Sequence, residues 1–464
     1  MTEPARIAAP PPGGYDWTAE TVIIGAGACG LVAALAAAER GEEVVVLERD
    51  PVPRGSTALS AGLVPAAGTR WQHDAGIDDD PACFAADIQA KAHGENRPEI
   101  VDLLATAAAP TLEWLADAHG LAFSLVHDVD YPGHSRRRMH GLPARSGAEL
   151  VDALRAAVER AGPHLVTEAR VATLHAEAGG HVSGLEAIRP DGSRERLGCK
   201  RLILACNGFG ANAGRRARHI PDIAGALYFG HPGNCGDALD WGEALGAATR
   251  HLGAYQGHGN VAHPHGILIT WAVIGAGGFQ VDLTGQRFWN EAQGYSEAAR
   301  AVLARPEGQA IAVFDARGAA IARQFADFRD AEAQGAIKAA ASPAELARAF
   351  ALPEDAFVAT CAEVAGACAT GMPDRFGRRF TPSQALAAPL YGVRVTGALF
   401  HTQGGLEIDR QARVLRATGG SFPNLFAAGG AACGVSGAGD AGYLSGNGLL
   451  AAVTLGRIAG AAPG

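Results

Sequence analysis

Thr21-Val22-Ile23-Ile24-Gly25-Ala26-Gly27-Ala28-Cys29-Gly30, an Ala-rich run to Arg40, and then Glu43-Val44-Val45-Val46-Leu47-Glu48 read as strand, glycine turn, helix, strand. In such a unit Gly25 permits the tight turn and Gly27 lets backbone N–H groups approach a pyrophosphate at the helix N-terminus. Gly30 lets the helix lie close to the sheet. Glu48 closes the second strand 18 residues after Gly30. A carboxylate there accepts hydrogen bonds from an adenosine ribose and repels the extra phosphate of NADP. The stretch predicts an open α/β fold holding a dinucleotide at its strand ends.

The rest of the composition agrees with a large globular chain. Of 464 residues, 48% are apolar and 19% charged, which excludes disorder and coiled coil. The 62 glycines exceed the usual share and follow no collagen period, so many backbone turns must approach something closely. The net charge of −9, with no basic run longer than Arg136-Arg137-Arg138, argues against a nucleic-acid partner. Eight cysteines without a Cys-x-x-Cys pair suggest buried thiols in a reducing cytoplasm rather than a zinc or iron-sulfur site. Residues 1–14, rich in Pro and Gly, read as a disordered arm and not a signal peptide. No transmembrane segment is expected, because uncharged stretches such as Ile267 to Phe279 are too short or too Gly-rich.

Downstream, Arg54 to Leu63 supplies small hydroxyl and glycine residues suited to a pyrophosphate or ribityl chain, and reads equally as a surface loop. Leu165 to Val171 reads as a strand followed by a Gly-rich hairpin region. Arg201 to Gly208 is an apolar strand ending in a small-residue turn, and Asn424 to Gly430 repeats that design. Ser146-Gly147-Ala148-Glu149 opens a helix over Leu150 to Arg160. Ser342-Pro343-Ala344-Glu345 opens another, and Pro353 to Ala369 is a third.

Together these segments resemble the flavoproteins of the fumarate reductase and succinate dehydrogenase superfamily, which includes the 3-ketosteroid dehydrogenases. Val22 to Gly30, Gly55 to Leu63, Gly285-Gln286-Arg287-Phe288-Trp289-Asn290-Glu291, His401-Thr402-Gln403-Gly404-Gly405 and Tyr443 to Gly460 carry the resemblance. It implies a Rossmann-like FAD-binding domain interrupted by an α+β capping domain. The expected bounds are 15–250 and 396–464 for the FAD-binding domain and 251–395 for the cap. The implied FAD contacts are Gly25, Gly27, Ala28, Cys29, Gly30, Glu48, Arg49, Ser56, Thr57, Ser60, Ala61, Gly62, Val171, Asn207, Gly208, Gly429, Gly446, Gly448 and Leu449. Respiratory members carry the flavin covalently on a histidine, where this chain has Ser56, so noncovalent FAD is expected. Gly430 stands where the family usually has a glutamate.

Dicarboxylate enzymes of the superfamily use two arginines, one donating a proton and one clamping a carboxylate. At the matching positions this chain has Tyr295 and Tyr443, which with Ser445 resembles the ketosteroid dehydrogenases that desaturate the 4,5 bond. Desaturation beside a ketone removes an acidic α-proton while a β-hydride leaves for the flavin. Tyr295 is the candidate base, and Tyr443 with Ser445 the candidate donors to the ketone oxygen. His258 and His401 match substrate-binding histidines of relatives, which admits a substrate carrying a carboxylate or second carbonyl. The run Tyr131 to His140 reads either as a solvated edge or as a loop bringing Tyr131 or Arg138 to substrate. His263 and His265 lie near His258 without a carboxylate, and no metal is expected.

The expectation is an FAD-dependent dehydrogenase of a steroid-like or smaller alicyclic ketone with an unidentified electron partner. Its rivals are a reductase of an enone or unsaturated acid and a catalytically inactive flavin-binding subunit.

Overall fold

The computed structural model describes residues 4–127 and 130–463. The chain divides into two compact units, Met1–Ile220 with Gly230–Tyr255 and His401–Gly464, and Pro221–Phe229 with Gln256–Phe400. The second unit starts and ends later than the expected cap at 251–395, and it also takes the short segment Pro221–Phe229.

The first unit is built on a large sheet whose centre is the quoted unit. Strand Trp17–Ile24 lies between Val44–Leu47 and Arg194–Leu204, parallel to both, and Ser421–Ala427 also runs parallel to Arg194–Leu204. Val44, Val45, Val46 and Leu47 are all buried, as strands covered on both faces require. The expected strand Leu165 to Val171 is instead two strands, His164–Val166 and Arg170–Ala176. They have different neighbours, the first running parallel to Val45–Leu47 and the second antiparallel to Val182–Ile188. Left-handed Glu168 turns the chain between them. The arm expected to be disordered contributes an edge strand: Arg6–Ala8 pairs in parallel with Thr173–His175, and Arg6 Nε donates to Thr173 Oγ1 at 2.9 Å.

The helix after the glycine turn, Ala28–Ala38, is buried along nearly its whole length because it is sandwiched against the last helix, Asn447–Ala461. Small residues make that approach possible. A Cβ on Gly456 would sit 2.5 Å from Cys29 O, and one on Gly460 would sit 2.2 Å from Ala33 O. The helix expected after Ser146 runs Gly147–Ala161, with Ser146 Oγ accepting from Ala148 N at 3.2 Å.

The second unit carries its own sheet, in the order Ile267–Leu268, Tyr255–Ala262, Leu390–Thr402, Gln309–Asp315, Phe279–Val281. Helices Pro343–Phe350 and Glu354–Thr370 pack their apolar faces, including Leu346, Phe350 and Phe357, beside Phe279, Ile311 and Val313 of this sheet. Beneath the Gly285–Glu291 turn lies a buried ionic cluster. Arg287 Nε donates to Glu291 at 3.0 Å, Arg287 also pairs with Asp374, and Arg378 reaches Glu291 at 3.0 Å. Glu291 Oε1 further accepts from Gln280 N at 3.0 Å, tying the turn to the sheet. The most specific-looking run in the sequence is therefore a scaffold, and it delivers the chain through Gly294 into the helix Tyr295–Leu303.

Gly460→Ala and Gly366→Ala are expected to differ in sign. The first forces two helix backbones apart, at about 1–3 kcal/mol. The second lies in helix Glu354–Thr370 with nothing within 4 Å of the added carbon and gains helix propensity of up to about 1 kcal/mol. Thermal unfolding of the two variants, read side by side, checks this.

Candidate functional site

The glycine turn is fixed by backbone, not by choice of side chain. Gly25 has φ +105°, and a Cβ there would lie 2.6 Å from Ala205 O. A Cβ on Gly30 would lie 1.8 Å from Gly25 O. Gly27 caps the helix without a side chain, and Thr57 Oγ1 accepts from Ala28 N at 3.2 Å, which brings the Ser56–Thr57 loop to the helix start. Glu48 is buried and accepts from Ala26 N at 2.8 Å and from Asp50 N at 3.1 Å. The carboxylate expected to bind ribose thus also holds the turn itself.

The neighbouring loops converge on this turn. Asn207, at φ +65°, accepts from Gly208 N through its own Oδ1 at 2.8 Å, and a Cβ on Gly430 would lie 2.1 Å from that oxygen. A glutamate at 430 would have to displace Asn207, which is a steric reason for glycine there. Gly429, at φ +59°, faces Cys29 Sγ, where an added Cβ would come within 3.2 Å. Ser60 Oγ donates to Thr57 O and accepts from Gly62 N, and Gly147 N donates to Ser60 O at 2.8 Å. Gly62 has φ +66°, and a Cβ there would lie 2.6 Å from Ser146 O, while Ala61 before it is exposed. Ser56 Oγ accepts from Asn234 Nδ2 at 2.8 Å and from His231 N at 3.3 Å. Arg49 Nη1 donates to Gly233 O at 2.7 Å, and His231 Nε2 lies 2.7 Å from an Asp50 carboxylate oxygen. His231 and Asn234 were not singled out from sequence, since nothing local marks a segment so distant from Ser56. Val171 lies within strand Arg170–Ala176 opposite Ala187.

The last helix presents a second uncapped N-terminus. Gly446 is its N-cap at φ +86°, packed on Pro65, with no side-chain cap, and Asn447 Oδ1 is buried without a hydrogen-bond partner. Gly448 is required because the His401 ring lies on it, an added Cβ falling 2.7 Å from both Cε1 and Nε2. Leu449 packs against the core of the unit. Two glycine-led, uncapped helix starts and the convergent small-residue loops form a cradle of backbone donors that suits an elongated, anionic dinucleotide.

Among the candidate reacting groups, Tyr443 is buried and packs edge-on against His401, with centroids 5.7 Å apart. Ser445 is buried, and its carbonyl accepts from His134 Nε2 at 2.9 Å. His134, missed within the loop flagged from sequence, ties that loop to the Tyr443–Ser445 segment. In the second unit Tyr295 begins its helix and stacks on His258, with centroids 4.9 Å apart and planes at 19°. Trp271 meets both rings edge-on, and Phe400 and Phe229 extend the cluster. His258 Nδ1 accepts from Asn260 N at 3.2 Å, so its proton sits on Nε2.

Arg138, weighed from sequence as a substrate contact, is placed among carboxylates. Arg138 is buried with Nε and Nη2 on Asp79, at 2.7 and 2.8 Å, and its third nitrogen pairs with Asp87. All three nitrogens of its guanidinium thus have carboxylate partners within the protein. The other buried arginines among the described residues also face carboxylates: Arg201 pairs with Glu42 through one terminal nitrogen while its Nε has no hydrogen-bond partner, and Arg287 and Arg378 pair with Glu291. Tyr131 packs on Leu63, Val126 and Met139.

Residues 20–449 match the FAD binding domain family, and the chain belongs to that family, with FAD as its cofactor. It is 28% identical over 471 residues to an NADH:fumarate oxidoreductase of Klebsiella pneumoniae, covering 99% of this chain but only 49% of that protein. It is 27% identical to a 4-oxocyclohexanecarboxylate 2-dehydrogenase of Sinomonas cyclohexanicum, covering 96% of this chain and 92% of that one. Among solved structures, the open conformation of a flavocytochrome c3 fumarate reductase is similar at TM-score 0.81 and 27% identity, over 97% of this chain and 78% of that chain. The fold is shared with a 3-ketosteroid-delta4-(5alpha)-dehydrogenase from Rhodococcus jostii RHA1, at TM-score 0.79 and 24% identity over 99% of each chain. No helix among the described residues is long and apolar enough to cross a membrane.

Burial holds His140 near 4 and His258 near 3, below the ordinary imidazole value. Below pH 6.5 the unfolded chain takes up protons at these rings while the folded chain does not. Stability from them is therefore complete above that pH and is lost as the pH falls toward 4, by up to about 1.4 kcal/mol per ring per pH unit. Denaturant midpoints are expected to decline over pH 6.5 to 4, and His140→Gln to make the decline shallower.

Proposed function

We propose that this FAD-binding chain is a dehydrogenase that introduces a carbon-carbon double bond α,β to the carbonyl of an alicyclic ketone. The observation that carries the reading is a phenol, not a guanidinium, at the head of helix Tyr295–Leu303, stacked on a neutral imidazole inside an aromatic cluster. Such a wall complements a hydrocarbon ring. A dicarboxylate needs a spare buried cation, and the buried arginines already face carboxylates. The Sinomonas relative, named for a ring ketone that bears a carboxylate, supports this class of substrate.

When bound, FAD supplies the acceptor for the β-hydride. Tyr295 Oη, as phenolate, takes the α-proton and becomes a phenol, while stacking on His258 fixes the ring's orientation. Gly257 N donates to Ser296 Oγ at 3.0 Å, anchoring the start of the helix that carries Tyr295. The hydroxyls of Tyr443 and Ser445 donate to the ketone oxygen, where negative charge develops as the α-proton leaves. His258, with its proton on Nε2, serves as a donor to a second polar group of the substrate. Noncovalent attachment of FAD follows from Ser56, whose hydroxyl accepts two hydrogen bonds from the 231–234 segment.

The reverse activity, reduction of an unsaturated acid, is favoured by the names of the Klebsiella protein and the flavocytochrome. Anaerobic titration separates the two. Loss of the visible flavin band with cyclohexanone carboxylates or larger cyclic ketones is expected. If reduced enzyme is reoxidised by fumarate and no ketone bleaches the oxidised form, the reductase reading replaces ours. If nothing changes the spectrum, the chain is a flavin-binding subunit. Tyr295→Phe is expected to lower kcat by about 100-fold or more while leaving FAD content unchanged.

A further inference from the structure

His401 is the end of a line of buried polar groups that starts at Asn447, in the first turn of the last helix. Asn447 Nδ2 donates to Ser436 Oγ at 3.1 Å, Ser436 Oγ donates to Gln403 Oε1 at 2.8 Å, and Gln403 Nε2 lies 2.7 Å from His401 Nδ1. Asn447 and Ser436 are 0% and 1% exposed and Gln403 6%, so water does not substitute for these partners. The competing contact of Nδ1 with Thr402 O is long, at 3.4 Å.

The direction of the line is set by what each group can give. A hydroxyl has one hydrogen, so Ser436 accepts from one amide and donates to the other. Turning Gln403 alone would face Ser436 Oγ with two amide donors and strand its own hydrogen. Turning Gln403 and Asn447 together would satisfy the hydroxyl, but would put the Asn447 amide nitrogen, with two hydrogens, where Oδ1 now lies, a place at which the described residues offer no partner. An unpaired buried carbonyl oxygen costs less than unpaired buried N–H groups. Gln403 therefore donates to Nδ1, and the imidazole proton is on Nε2, the edge of the ring that lies over Gly448 in the first turn of the last helix.

We propose that Gln403, Ser436 and Asn447 are positioning residues that hold His401 as the neutral Nε2–H form, so that the ring donates a hydrogen bond to a substrate oxygen and does not accept one. Desolvation of the half-buried ring lowers its pKa to about 4 and so keeps it neutral at neutral pH, while the tautomer is set by Gln403. That the acceptor is a substrate oxygen rests on the function proposed above; the tautomer does not.

The test is 15N–1H correlation of the FAD-loaded, oxidised enzyme labelled in histidine, with the His401 signals identified by their absence in His401→Gln. A protonated Nε2 beside a bare Nδ1 is expected. Gln403→Glu puts an acceptor at Nδ1 and is expected to move the proton there. Ser436→Ala, which releases the Gln403 amide, is expected to populate both forms and serves if Gln403→Glu does not fold. Protonated Nδ1 in the unaltered enzyme, or the same tautomer in every variant, overturns the proposal. With a bleaching ketone in hand, Gln403→Glu is expected to raise KM about tenfold, the effect of one hydrogen bond, with a smaller change in kcat. An unchanged KM despite a moved proton overturns the donor role. Failure of every ketone to bleach the flavin would overturn the ketone reading and leave the tautomer assignment standing on its spectra.

Discussion

Everything in the first unit depends on one steric fact: the carbonyl oxygen of Gly25 occupies the place where a side chain at Gly30 would begin. That contact brings the first helix onto the sheet and aims its uncapped start at the space between the convergent loops. The same helix takes the last helix onto its other side at Cys29 and Ala33, again through glycines. Two helix N-termini, the candidate cradle for the dinucleotide, are thus held in place by a set of backbone approaches that tolerate no Cβ. The excess of glycine in the composition is explained by these approaches and by left-handed turns such as Gly62 and Gly446.

The second theme is neutrality. Buried cations are cancelled in place, with Arg138 between two aspartates, Arg287 between Glu291 and Asp374, and Arg378 on Glu291. Breaking such a cluster costs more than the cluster itself contributes, so it acts as a rigid scaffold under the Gly285–Glu291 turn. The imidazoles near the candidate reacting groups are uncharged as well, His258 by burial and by the Asn260 amide that faces its Nδ1. Apart from Tyr295, which acts in the proposed reaction as a phenolate, the polar chemistry left to these groups is that of oriented dipoles and hydroxyls. Such chemistry suits a carbonyl whose oxygen gains charge during reaction better than a ligand that arrives fully charged.

The fold was legible because its decisive signals are local. A strand, a glycine turn, a helix and an acidic strand end occupy fewer than thirty consecutive residues, and Ser146 and Ser342 announce their helices within one turn. The resemblance built on the later motifs led to the same family as the comparison over residues 20–449. What was not legible depended on distant pairing. Arg6–Ala8 is a strand only because Thr173–His175 offers an edge, and Leu165 to Val171 breaks because its ends pair with different strands. Arg138 looked available because Asp79 and Asp87 are more than fifty residues upstream. Gln403 was quoted within a motif, yet its role needs Ser436 and Asn447, which no spacing connects to it.

The cancellation of buried charge also governs how a ligand arrives. A site that exposes an uncompensated cation inside low-dielectric walls gathers anions from solution and speeds their encounter, an advantage that fades as salt rises. This chain, with a net charge of −9 and its buried guanidinium groups already matched, offers no such funnel through those groups. Added salt therefore has no attraction of that kind to screen at those groups, whose charge is spent on holding the scaffold.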